Sequence, residues 1–166
     1  MTDPGATRRR AIAAGVATLL VAPDALAQGP RTPAQQLADR AKAMVDADKT
    51  TPTLLRAQPI AREGVAVATR ARDLSGLLDA AFVLGRTTVL LLISDDFTGA
   101  EDALATLTRI VAAVRDPRAA AFTEQMAFMA GDISYRLGQR EGNAPARMRE
   151  TQRLLGLCAP RYARVA

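Results

Sequence analysis

Thr98-Gly99-Ala100-Glu101-Asp102-Ala103-Leu104-Ala105-Thr106-Leu107-Thr108-Arg109-Ile110-Val111-Ala112-Ala113-Val114 is the stretch on which the fold turns. Ala103, Leu104, Leu107, Ile110, Val111 and Val114 recur at three- and four-residue spacing, so a helix gathers them into one apolar stripe. Such a stripe has to be buried against a neighbouring element. At its start, Thr98 and Glu101 have the spacing of a capping box. There the threonine hydroxyl accepts from the third helical amide and the glutamate reaches back.

The same pattern extends in both directions. Downstream, Asp116-Pro117 reads as a cap followed by a first-turn proline. The helix it opens aligns Phe122, Met126, Met129, Ile133 and Leu137 and closes near Gly138. Glu141-Gly142-Asn143-Ala144-Pro145 is a turn into a last helix that runs to about Leu157, with Pro160 as its stop. Upstream, residues 34–49 place Leu37, Ala41, Met44 and Val45 on one helical face, and Thr50-Thr51-Pro52 ends it. Pro59 opens the next helix, over residues 60–72, which Gly64 weakens.

Residues 74–93 are the most apolar part beyond the N-terminus. Residues 87–93 are rich enough in β-branched side chains to form a strand. No second strand-like run exists to pair with it, so a buried central helix is expected. Asp79 and Arg86 argue against a membrane span, because charges are costly in lipid. The expected fold is all-α: an antiparallel bundle of four to five helices, in a single domain.

The N-terminus reads as an address. Arg8-Arg9-Arg10 directly precedes the mildly apolar run Ala11-Ile12-Ala13-Ala14-Gly15-Val16-Ala17-Thr18-Leu19-Leu20-Val21, then Pro23 and the small-x-small pattern Ala25-Leu26-Ala27. The run is shorter than the roughly 20 residues that cross a bilayer core. This segment resembles a bacterial twin-arginine export signal, although Ala11-Ile12 stands where that family favours Phe-Leu. The resemblance implies a leader over residues 1–27, cleaved to leave residues 28–166, a periplasmic location, and export in the folded state. A partner bound before export would give a reason for that route.

Composition excludes more than it assigns. Histidine is absent and Cys158 is the only cysteine. Histidine-ligated zinc, C-x-x-C-H haem attachment and Ser-His-Asp or Cys-His catalysis each lose a required group. Phosphate-binding glycine loops are missing as well, and no cofactor is expected. In an oxidising compartment Cys158 is either a buried small hydrophobe or the link in a disulfide-bonded dimer.

From Arg136 onward seven arginines face only Glu141 and Glu150. Export argues against nucleic acid as the partner of this basic segment. An acidic protein or an anionic membrane surface fits better, with Arg147, Arg149, Arg153, Arg161 and Arg164 as the contact residues.

Other residues could serve chemistry. Asp95, Asp96, Glu101 and Asp102 could hold a hard cation, though they lack the alternating loop of an EF-hand and also suit a helix start. Met126 and Met129 share a face and could bind Cu(I), or simply fill the core. Asp79 and Arg86 could line a polar cavity or pair with neighbouring helices, and Tyr135 with Asp132 and Arg136 could form a small polar site.

Thr32-Pro33-Ala34-Gln35-Gln36 resembles the Thr-x-x-Gln signature of Spy-type periplasmic chaperones over five residues, with Arg31 where that family has leucine. The expected function is an exported, non-catalytic binding or accessory protein. The alternatives are a periplasmic chaperone, which requires a concave apolar surface, and an enzyme working with Asp, Glu, Arg or Tyr.

Overall fold

The computed structural model describes residues 30–158, and they form an all-α bundle. Its helices are α1 (Pro33–Ala47), α2 (Thr51–Ala71), α3 (Leu74–Ile93), α4 (Ala100–Ala113), α5 (Ala120–Arg140) and α6 (Pro145–Gly156). A single 3-10 turn, Pro117–Ala119, leads into α5. The leader boundary, together with Arg161 and Arg164, falls outside the described residues.

Six helices make up the expected bundle, and residues 51–71 form one continuous helix. Pro59 lies inside α2 and does not open it. An internal proline forfeits a backbone hydrogen bond and costs about 3 kcal/mol. The flanking Ala57 and Ala61, both fully buried, keep the helix packed through that position. Thr50-Thr51-Pro52 also has a different part to play: Thr50 is the N-cap residue of α2, and α1 has already ended at Ala47. The Asp48 carboxylate accepts from the Thr50 amide and from the Thr50 and Thr53 hydroxyls, which ties down this start.

Helix α3 is the hub, packing against α1, α2, α4 and α5. Its burial accounts for its all-round apolar sequence. Leu78, Phe82, Leu84, Val89, Leu91 and Leu92 are all buried. Residues 87–93 continue the helix, with the Thr87 and Thr88 hydroxyls donating to the Val83 and Leu84 carbonyls. Although α3 is long and apolar enough to cross a membrane, most of it lies inside the protein.

Polar contacts fix how α1 lies on α3. Thr32 Oγ1 accepts from the Gln35 amide and donates to Asp73 Oδ2, while Asp73 Oδ1 accepts from the Gly76 amide. Gln35 Oε1 accepts from the Thr32 amide, completing a capping box at α1. Further along, Gln35 Nε2 donates to Ser75 Oγ and Asp79 Oδ2. Near the other end Arg86 meets Asp46 at 2.6 Å. Helices α1 and α3 therefore run parallel, and α2 runs back between their ends.

Candidate functional site

The stripe of α4 is buried as expected at Ala103, Leu104, Leu107 and Ile110, but its start differs. The Thr98 hydroxyl makes no cap. Gly99, at φ 70°, is the N-cap residue, and the Thr98 amide donates to Asp96 Oδ1. Hydrogen bonding from the Thr98 side chain, and then from its amide, holds the Asp96 carboxyl below its ordinary range. Gly99 also has no room for a side chain, because a Cβ would stand 2.5 Å from Gln58 Oε1. Buried Gln58 donates to Thr88 Oγ1 and to the Thr98 carbonyl, joining α2, α3 and the loop before α4.

The four carboxylates of this region do not converge. Glu101 pairs with Arg147 on α6, and Asp102 pairs with Arg62 on α2 at 2.9 Å. Asp95 and Asp96 line an open hollow of about 550 Å³ with Thr51, Ser94, Phe97, Thr98 and Arg140. The Arg140 guanidinium lies 4.6 Å from the centroid of the Phe97 ring. Among the described residues no three Asp, Glu, His or Cys side chains are grouped to hold a metal ion.

The remaining candidates have structural partners. Met126 and Met129 are core residues, and the Met129 thioether packs over Gly85. Asp79 and Arg86 each meet α1, through Gln35 and Asp46. Burial pushes the Asp79 carboxyl above its ordinary range, and the Gln35 bond opposes that shift only in part. Asp132 is buried and pairs with Arg136 one turn on, while Tyr135 accepts from Gln139 at the surface.

The C-terminal arginines divide into two kinds. Arg147 bridges Glu101 and Glu141, so it locks the start of α6 onto α4. Partial burial works against its charge, but the two glutamates offset this and raise its proton affinity. Arg149 and Arg153 instead face outward, and Arg153 pairs with Glu150 within the helix.

Helix α6 rests on α5 through small residues. A Cβ at Gly131 would stand 2.7 Å from the Leu155 side chain, and one at Gly138 would stand 2.5 Å from the Met148 methyl. Ser134 Oγ donates to the Arg147 carbonyl between them. Thr151, Leu154 and Cys158 form the inner face of α6, each buried. The Cys158 thiol donates to the Glu124 carbonyl, and burial pushes its pKa up to about 11. Cys158 is thus buried within the fold.

Arg149, Arg153 and Leu157 follow one another at four-residue spacing and so lie in line along the outer face. Leu155 and Leu157 are 39% and 47% exposed. With Ile93 they are the exposed large hydrophobics among the described residues. Composition marks the C-terminal segment as arginine-rich, but it gives no sign that Arg147 belongs to the structure. Its partner Glu101 is 46 residues away, and only the fold brings them together. No protein-family model, curated protein or solved structure matches this chain.

Proposed function

We propose that this chain is an exported helical-bundle accessory protein that binds an acidic surface through the outer face of α6 and carries out no chemistry itself. The observation that supports this reading is a contrast in how arginines are used. Arg62, Arg86, Arg136 and Arg147 each pair with a carboxylate and help hold the body together. Arg149 has no carboxylate partner among the described residues and stands in line with exposed Arg153 and Leu157. The segment that follows adds Arg161 and Arg164 without an acidic residue. The twin-arginine-like leader supplies the periplasmic location.

The chaperone alternative has less support, since the exposed large hydrophobics among the described residues are scattered and form no broad apolar cradle. The Thr32-x-x-Gln35 signature serves here as a helix cap.

A photo-crosslinking side chain at position 152, on the same exposed face, tests the reading in exporting cells. A dominant adduct, to lipid or to a protein, is expected, and it should be lost when Arg149→Glu and Arg153→Glu are introduced. The same adduct from both chains would overturn the assignment of the contact to α6.

A further inference from the structure

We infer that the acidic surface contacted by α6 is an anionic lipid bilayer; this rests on the acidic-surface reading above and names its partner. Helix α6 is packed principally against α5 and lies at the margin of the bundle. Its outer face is therefore a convex ridge. A protein partner would have to offer a groove shaped to this ridge. A bilayer needs no groove. It takes a ridge whose cations lie at the headgroups while neighbouring apolar side chains enter the boundary with the acyl chains.

The ridge has both components. Arg149 and Arg153 provide charge, with exposed Leu157 in the same line; Leu155 instead turns toward Gly131 of α5. The sequence beyond it adds two more cations, Arg161 and Arg164, and one residue suited to the interface, Tyr162. Charge complementarity sets the lipid class: arginines predominate here, so the headgroups are anionic. The buried inner face of Thr151, Leu154 and Cys158 keeps α6 attached to the body, so docking requires no unfolding.

Vesicle co-sedimentation tests this with the full chain carrying Arg8→Gln, Arg9→Gln and Arg10→Gln, which silences the leader's own cations. Binding is expected to vesicles containing phosphatidylglycerol and not to phosphatidylcholine alone, and it should weaken with salt. Near an anionic surface each arginine contributes about fivefold in affinity. Arg149→Gln with Arg153→Gln should therefore lower binding about tenfold or more, because Glu150 already claims part of Arg153. Leu157→Gln should lower vesicle binding severalfold while leaving retention on immobilised polyglutamate unchanged. Circular dichroism confirms that each variant is folded.

Equal binding to both vesicle types, or no loss with the α6 variants, would overturn the inference. Retention on polyglutamate through Arg149 and Arg153 without vesicle binding would overturn the lipid assignment and leave the acidic-surface reading standing. Loss of both interactions would remove both.

Discussion

The Thr32 hydroxyl donates to Asp73 Oδ2 at 2.5 Å while accepting the Gln35 amide at 3.2 Å, so two helix caps 41 residues apart are one hydrogen-bonded unit. Each residue caps its own helix, α1 or α3, and also orients the other. Thr32→Val and Asp73→Ala should each cost about 1–2 kcal/mol in chemical denaturation. The double variant should cost less than the sum by about 0.5 kcal/mol or more, since the first change already disrupts the shared bond. Strict additivity would show that the caps act separately.

Gly99 and Gly142 separate backbone strain from crowding. Both have positive φ, 70° and 72°, but a Cβ at Gly142 meets nothing within 4 Å, whereas one at Gly99 collides with Gln58. Gly142→Ala should cost only the left-handed backbone penalty, about 1–2 kcal/mol. Gly99→Ala should cost clearly more, because Gln58 must release Thr88 or the Thr98 carbonyl. Equal losses in thermal unfolding would mean that the Gln58 contact contributes nothing.

Asp79 sets a pH dependence whose sign follows from its environment. Desolvation raises its folded pKa above the unfolded value, so the folded state holds this proton more tightly. Its ionisation therefore reduces stability as pH rises from the ordinary carboxyl range through the raised folded pKa, and the deficit remains above it. Asp79→Asn still accepts from Gln35 through its amide oxygen and has no charge to desolvate. It should melt higher than the wild type at neutral pH, with the advantage vanishing near pH 3–4, close to the unfolded carboxyl pKa. An advantage that grew on acidification would contradict the assignment.

Cys158 should resist alkylation. With its pKa pushed up to about 11, the reactive thiolate is scarce near pH 8. Iodoacetamide labelling of the folded chain should be slower than in urea by on the order of a hundredfold, since the two-unit rise cuts thiolate by that factor. Oxidised samples should run without a disulfide-linked dimer on a non-reducing gel. Rapid native labelling would mean that the end of α6 opens readily.

Much of the bundle could be read from spacing, because α4 and α5 each have one apolar face. Phe122, Met126, Met129, Ile133 and Leu137 are all buried, as their periodicity requires. The misreadings have local physical causes. A proline breaks a helix by local rules, yet Pro59 is carried by the buried alanines around it. Thr98 and Glu101 have capping-box spacing, but Asp96 takes the Thr98 amide and Arg147 takes Glu101. A working capping box lies instead at Thr32 and Gln35, where the same Thr-x-x-Gln residues also resemble a chaperone signature. The arginine-rich face was visible as composition. The division between its structural and outward-facing members was not, since it depends on contacts between distant residues.

Helix α3 has two possible solvents. Taken alone, its length and apolarity suit a bilayer as well as a protein interior, and the fold selects between them by surrounding it with four other helices. Helix α1 marks that choice chemically, holding Asp79 through Gln35 and Arg86 through Asp46. Detaching α1 therefore does more than shorten the bundle. It strips two charges of their partners and bares one side of a twenty-residue apolar helix to lipid, or to any unfolded chain it meets.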